Sequence, residues 1–412
     1  MKEWKTYKLY EVASLTTGFP FAGEKYAKEG TRVVRGDNVT IGALRWDSEK
    51  LKCWNEPFER FNEFSLKEGD IVIGMDGSRV GQNRAQVKNE DLPLLLAQRV
   101  ACIRNNEKSI QDFLYYLIFN NRFVDYVKQV QTGTSIPHIS LKQIGNYEVN
   151  LPSIETQTKI SQILRTLDNK IEINKRINDN LEQQAQALYK SWFIDFEPFK
   201  DGKFEESEIG LIPEGWHVGK AEDFYEINIG KTPPRKEHEW FTLDKGQNIW
   251  VSISDLGSDG RFLFDSSEYL TDKAIQKHNI VLVPEDTVLL SFKLTIGRVG
   301  IAGTQLTTNE AIARFITNSV NREYTYFLLK NFNYSKLGST SSIATAVNSK
   351  IIKAMMVLMP SNECLLNFKK LVGPIIDGIK KNEEEILRLT ALRDILLPKL
   401  MSGELKINEI DC

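Results

Sequence analysis

Apolar residues recur at alternating spacings of three and four along two stretches of this chain, one opening after Pro152 and the other after Pro360. In the first they fall at Leu164, Leu167, Ile171, Leu181, Ala185, Leu188 and Trp192, and in the second at Val372, Ile375, Ile379, Ile386, Leu389, Leu396 and Leu400. Such spacing predicts two helices with a coiled-coil seam. Superposed at an offset of 208, the stretches place Ile163 on Leu371, Leu167 on Ile375, Ile171 on Ile379 and the polar Asn174 on Asn382. A serine follows each proline, Ser153 and Ser361, positioned to accept from the unpaired N–H groups of a first helical turn. The first helix is expected to reach about Phe199, on the order of 45 residues and about 65 to 70 Å long. No globular core needs a helix of that length. Asn174 and Asn382 interrupt the seams as candidate register residues, because a buried asparagine costs stability but is satisfied only in the matched alignment. The alternative is a pair of solvated positions on a frayed seam.

Ahead of each helix lies a module of alternating short β-type runs and turns. Thr31 to Val34 and Asp70 to Ile73 are examples, separated by Gly, Asn and Asp. The second module repeats the framework. Trp4 corresponds to Trp216 and Gly18 to Gly230. At an offset of 216, Gly69-Asp70-Ile71-Val72 matches Glu285-Asp286-Thr287-Val288 and Val80-Gly81 matches Ile296-Gly297. Each module closes on an extended apolar run ending in proline, Tyr147 to Pro152 and Met355 to Pro360. An internal repeat of this size governs the reading of every local motif.

The expected architecture is α+β: modules at 1–152 and 201–360, a central helical spacer at 153–200 and a distal helical region at 361–412 pairing with it. If the second helix packs on the first, chain order makes the two antiparallel and the whole pseudo-two-fold. Two modules on a rigid strut suit the reading of two short, separated sites on one duplex, since the second contact becomes intramolecular.

Composition narrows the class. The chain has 412 residues, 41% hydrophobic and 26% charged, with a formal net charge of −2, the balance of a soluble multidomain protein. No apolar run approaches the roughly 20 residues of a membrane span, and the first ten residues lack a signal-peptide stretch; a cytoplasmic location is expected. Cys53, Cys102, Cys364 and Cys412 show no CxxC spacing and the four histidines no ligand spacing, which argues against disulfides and a metal site. Residues 1–152 carry 21 Lys and Arg against 19 Asp and Glu, and residues 201–360 carry 17 against 20. Any contact with DNA must therefore use local patches, or a partner that neutralises phosphates.

The stretch Leu188 to Trp216 (LYKSWFIDFEPFKDGKFEESEIGLIPEGW) resembles the central region of specificity subunits of type I restriction-modification enzymes, and Ile395 to Leu405 (ILLPKLMSGEL) resembles their distal region. Leu151-Pro152 with Glu155 and Gln157 is similar to the start of the family's helix; Met359-Pro360 with Glu363 and Leu365 keeps that pattern less well. Gly230 to Pro233 (GKTP) resembles the start of a target-recognition domain, where the first module has Gly18 to Pro20 (GFP). The resemblance implies that the modules are target-recognition domains, each reading half of an interrupted double-stranded DNA sequence. It implies helices that dock two modification subunits, with restriction subunits joining the full complex. S-adenosylmethionine, ATP and magnesium would then act on those partners, with no cofactor and no catalysis in this chain.

The residues agree with that absence. No NPPY- or DPPY-like string occurs, the nearest being Thr232-Pro233-Pro234-Arg235, so the grip an amino-methyltransferase needs on a flipped adenine is missing. No GxxxxGK[ST] loop is present, and His238-Glu239 has no second histidine at helical spacing. Two other readings stay open: a coiled-coil adaptor that never touches bases, and a metal-dependent nuclease using Asp286 and Lys293.

Base reading in the major groove favours Arg on guanine, Asn or Gln on adenine, and short hydroxyls. In the first module the candidates are Arg35 and Asn38, and the glycine-bounded loop holding Ser78, Arg79, Gln82, Asn83 and Arg84; the same loop could be an ordinary solvated hairpin. Arg99 could serve as a structural ion-pair partner. In the second module they are Ser252, Lys293, Thr295 and Arg298, with the basic loop Lys231, Arg235 and Lys236. Lys142 and Lys350, 208 residues apart near the module ends, suit phosphate contact or helix capping.

Overall fold

In the computed structural model, residues 4–405 are described except 134, 258–259, 317–319 and 338–346. The chain divides into two compact units, one formed by residues up to Asn169 with those from Leu389 onward, the other by Lys170–Arg388.

In the first unit the strands are β1 (Lys5–Lys8), β2 (Ala13–Thr17), β3 (Thr31–Val34), β4 (Cys53–Trp54), β5 (Ile71–Gly74), β6 (Arg84–Gln86), β7 (Leu94–Leu96), β8 (Val100–Asn105) and β9 (Glu148–Leu151), with helices α1 (Leu9–Val12), α2 (Gln111–Ile118), α3 (Asn121–Val130) and α4 (Leu141–Gly145). An antiparallel sheet runs β2-β8-β5-β6, a second sheet runs β4-β3-β7 with β3 and β7 parallel, and β1 pairs with β9. The run Ile71 to Gly74 is buried at every position, the pattern of a strand covered on both faces. Ile71 and Ile73 join Phe113, Leu114 and Phe123 of the helices in one core, and Val72 joins Val34, Leu94 and Val100 in another.

The long helix α5 (Ile154–Phe193) follows. In the second unit lie β10 (Phe204–Ser207), β11 (Gly210–Pro213), β12 (His217–Lys220), α6 (Ala221–Phe224), β13 (Glu226–Ile229), β14 (Phe241–Thr242), β15 (Asn248–Val251), β16 (Phe262–Leu263), β17 (Tyr269–Leu270), α7 (Asp272–Lys277), β18 (Val288–Ser291), β19 (Val299–Ala302), β20 (Thr307–Thr308), β21 (Ile312–Ile316), α8 (Arg322–Asn331), α9 (Ser349–Lys353) and β22 (Met356–Met359). The second long helix is α10 (Asn362–Ser402).

The two modules share one topology. The sheet β13-β21-β18-β19 repeats β2-β8-β5-β6, with β16 added beside β19; the parallel pair β15 and β20 repeats β3 and β7; and β12 with β22 repeats β1 with β9. One detail of the expected alignment is corrected. Gly69 and Asp286 hold the same left-handed turn ahead of the hairpin, with φ of 86° and 66°, and donate alike to Val87 O and Ala302 O. The match is therefore Gly69 with Asp286 rather than with Glu285, because a turn position is set by backbone conformation and Asp tolerates the left-handed region better than Glu.

Ser153 and Ser361 cap their helices as expected: Thr156 N donates to Ser153 Oγ at 3.4 Å and Cys364 N to Ser361 Oγ at 3.3 Å. The first helix stops short of the expected end, at Phe193. Phe196 turns left-handed with φ 53°, and a separate 3-10 turn, Glu197–Phe199, follows it. Along α5 the buried positions are Gln157, Ile160, Ser161, Leu164, Ile171, Asn174, Asn178, Ala185, Tyr189 and Phe193, so at its C-terminal end the stripe passes through Tyr189 and Phe193 rather than Leu188 and Trp192.

Within each unit the long helices pack antiparallel. In the first unit Arg393 pairs with Asp168 at 3.1 Å, and Ile160 and Leu164 share a core with Leu400 and Met401. In the second, Glu385 accepts from Lys170 at 2.8 Å and from Asn174 at 2.9 Å, while Asn382 donates to Asn178 at 2.8 Å. Asn174 and Asn382 are thus not each other's partners; in this register each lies about one turn from the other and finds a different polar group.

Close by, Glu182 accepts from Tyr326 at 2.5 Å and from Arg261 at 2.9 Å, and also from Lys330. Burial alone would raise its carboxyl pKa, but the bonds from Lys330 and Tyr326 and the charges of Lys330 and Arg261 outweigh it, and the net shift is below the ordinary 4.5. A lowered carboxylate stabilises the fold above its unfolded pKa, and that contribution is lost as pH falls through the folded value. Glu182→Gln should therefore cost about 3 kcal/mol at pH 7, and the gap from wild type in thermal unfolding should close on acidification below about 4.5. A gap independent of pH would refute this account.

Candidate nucleic-acid interface

In the first unit the sheet ends place four arginines around one open cleft of about 650 Å³. Its wall is the β5–β6 hairpin loop, kinked by Gly77 at φ 103° and Gly81 at φ 80°. The Gly81 turn must be glycine for two reasons, since an added Cβ would also lie 2.8 Å from Val127. Gln82 N and Asn83 N both donate to Arg79 O, which presents Ser78 and Arg79 outward. Opposite stands the turn after β3, with Arg35 and Asp37, and Arg45 beyond it; Gln98 and Arg99 come from the link between β7 and β8. Phe19, Phe21 and Tyr26 also line it, the Arg35 guanidinium lying 5.6 Å from the Tyr26 centroid.

Electrostatics separates these arginines. Arg99 Nε donates to Asp76 at 2.6 Å, Arg35 lies 3.7 Å from Asp37, and Arg45 lies 3.2 Å from Asp47. Among the described residues no side chain pairs with Arg79, which is exposed at the rim. An unpaired, exposed guanidinium keeps its five donors for a ligand.

The cleft thus gathers Arg35, Ser78, Arg79 and Asn83 from the expected set. Two candidates are corrected. Asn38 is fully buried: its amide donates to Arg45 O at 3.0 Å and Lys50 O at 3.1 Å and its Oδ1 accepts from Arg35 N, so it staples the loop instead of facing a base. Arg84 is 7% exposed, donates to Gly81 O, and stacks 5.3 Å from the Phe119 centroid; burial lowers its pKa. Its place on β6 turns it inward, whereas Arg79 rides the loop. Gln82 is half-buried and does not line the cleft. Arg45 and Gln98 were missed, since neither sits in a motif and only folding carries them to the Arg79 loop; Arg99 is the ion-pair partner that its strand-like surroundings suggested.

In the second unit the equivalent hairpin joins β18 to β19. Lys293 and Thr295 are exposed on its tip, while Arg298 is drawn back to donate to Ile253 O at 2.7 Å. Ser252 is occupied with Asp255, donating from Oγ at 2.6 Å and accepting from its N at 3.3 Å. Lys231 donates to His278 O and Asn279 O at 3.3 and 3.0 Å. Arg235 forms a two-pronged pair with Glu268 at 2.9 and 2.8 Å between the rings of Phe241 and Trp250, and Lys236 is exposed beside it. Lys142 and Lys350 are exposed at matching positions of α4 and α9, each two residues past the capping side chain, Ser140 or Asn348.

The nuclease constellation does not assemble. Asp286 is paired with Arg322 and lies 3.3 Å from Lys380, whereas Lys293 stands at the far end of β18, on the order of 20 Å along an extended strand. Among the described residues no three His, Cys, Asp or Glu side chains form a metal-binding group, and Cys53, Cys102 and Cys364 are buried free thiols; Cys412 lies outside the described residues. No described helix is long and apolar enough to cross a membrane.

The family profile "Type I restriction modification DNA specificity domain" matches residues 1–183 and 213–363, once over each module. This chain belongs to that family. Among type I specificity proteins, the MjaIX specificity subunit of Methanocaldococcus jannaschii is 29% identical over 365 residues, 84% of this chain and 82% of the relative. The HindI specificity subunit of Haemophilus influenzae is 26% identical over 98% of this chain and all of its own length. The crystal structure of the type I system S subunit from M. genitalium aligns over 97% of this chain and 96% of its own, with a TM-score of 0.61 at 16% identity, a likeness of fold. A type I specificity subunit recognises DNA and is not itself catalytic, and the cleft of the first unit is lined with hydrogen-bond donors.

Proposed function

We propose that the chain reads a two-part duplex sequence, residues 1–152 taking one half and 201–360 the other, while 153–200 and 361–412 dock two modification subunits, restriction subunits completing the assembly. The observation that carries this is the shared topology with unlike hairpin loops: Ser78 and Arg79 on β5–β6 occupy the place that Lys293 and Thr295 occupy on β18–β19. A repeated scaffold with divergent tips suits two different half-sites. Exposed apolar residues one turn apart on α5, Ile173 and Ile177, support a protein partner on the helices. S-adenosylmethionine, ATP and magnesium belong to the partners in this reading, and the complex works in the cytoplasm.

Methylation mapping in cells carrying the chain and its modification subunits tests the reading. An interrupted motif is expected, and exchanging the loop Gly77 to Asn83 should alter one half of it and leave the other. A chain acting only as an adaptor would leave the motif unchanged after the exchange.

A further inference from the structure

Leu294 is 98% exposed at the tip of the β18–β19 hairpin and holds a left-handed backbone with φ 60°. Both features are unfavourable for leucine: its side chain is left in water, and its Cβ crowds the backbone in that region. The tip is nonetheless built to hold it. Ser291, fully buried, donates from Oγ to Thr295 O at 2.6 Å and accepts from Arg298 N at 3.0 Å, while Gly297 N donates to Ser291 O at 3.0 Å. One hydroxyl thus closes both sides of the loop. Arg298 is tied to Ile253 O, and Gly297, at φ 89°, packs so closely on Tyr334 that a Cβ there would come within 3.0 Å. A disfavoured conformation held by surrounding bonds marks a site that meets a ligand.

Lys293 and Thr295 flank Leu294, both exposed, so the apolar tip sits between a cation suited to phosphate and a hydroxyl suited to a base edge. The corresponding hairpin of the first unit lines the arginine cleft with Ser78 and Arg79. We propose that Leu294 is a wedge that enters a base-pair step of the half-site read by the second unit and unstacks it, Lys293 holding the adjacent phosphate. Apolar side chains inserted in this way kink duplexes, and pyrimidine–purine steps yield most easily; the step entered is therefore TA or CA/TG. The inference rests on the reading that this unit recognises DNA.

The test uses the complex of the full chain with its modification subunits and duplexes carrying the mapped target, with 2-aminopurine placed in turn at each adenine of that half. Wild type should give a fluorescence rise at one step other than the adenine that the modification subunit flips for methylation. Leu294→Ala should abolish the rise and lower the preference for target over competitor about tenfold or more, and Leu294→Met should restore both. Leu294→Gly, which suits the left-handed backbone, should leave the unfolding midpoint equal or higher while losing the rise, separating recognition from folding. An unchanged rise and preference in Leu294→Ala overturns the wedge alone. Loss of subunit assembly in that variant also overturns it, assigning the tip to a protein contact. A wild-type complex with no target preference overturns the DNA-reading assignment, and the wedge with it.

Discussion

Replacing Arg79 by alanine should reduce discrimination at one half-site by roughly 5- to 100-fold, the worth of one good bidentate base contact, with no change in thermal stability. Its guanidinium is exposed and, among the described residues, paired with no side chain, so its removal leaves nothing buried unsatisfied. Arg84→Ala should do the reverse. That side chain fills the space between Gly81 O and the Phe119 ring, and its loss opens a cavity and frees the loop carbonyl. A cost of about 2 to 3 kcal/mol is expected, a fall of roughly 5 to 10 °C in midpoint for a unit of this size. Competition binding by the assembled complex and calorimetry of the two variants distinguish the roles. Equal loss of discrimination at unchanged stability in both would show that Arg84 also reaches DNA.

Phe193→Ala should have the largest effect on the second unit. Phe193 is 5% exposed and packs with ring centroids 5.2 Å from Tyr189, 5.7 Å from Trp216, 4.8 Å from Tyr324 and 4.8 Å from Phe368. It joins α5, α8, α10 and the chain before β12 in one core. Truncation should cost about 3 to 5 kcal/mol and lower the midpoint of the second unit by roughly 10 °C. Phe193→Leu, which conserves more volume, should cost about 1.5 kcal/mol or less. In mapped methylation the half-site of the second unit should weaken first as temperature rises, the other half persisting. Loss of both halves together would mean that the units do not unfold separately.

Much of the architecture was legible because periodic burial writes itself into sequence. The spacing from Leu164 to Trp192 and from Val372 to Leu400 announced two helices, Ser153 and Ser361 marked their starts, and the proline-closed runs at Pro152 and Pro360 marked the strands before them. The match of the modules was legible for the same reason, since turn glycines such as Gly81 and Gly297 answer to a backbone requirement that is local. Its slip at Gly69 was not. Asp286 supplies the left-handed residue there, whereas the offset of 216 lays it on Asp70.

The interface divides along the same line. Residue type and loop context were sufficient to propose the β5–β6 hairpin, and they could not separate Arg79 from Arg84, five positions apart in one glycine-rich run. That depends on where the loop ends and β6 begins, because a strand turns alternate side chains inward and a loop tip does not. Asn38 was likewise chosen for chemistry and proved to spend it on Arg45 O and Lys50 O. Arg45 and Gln98 join the cleft through pairing of distant strands. Local pattern sets helices, turns and the duplication, since each is satisfied within a few residues; which polar group faces a ligand depends on the partners that folding brings to it from far along the chain.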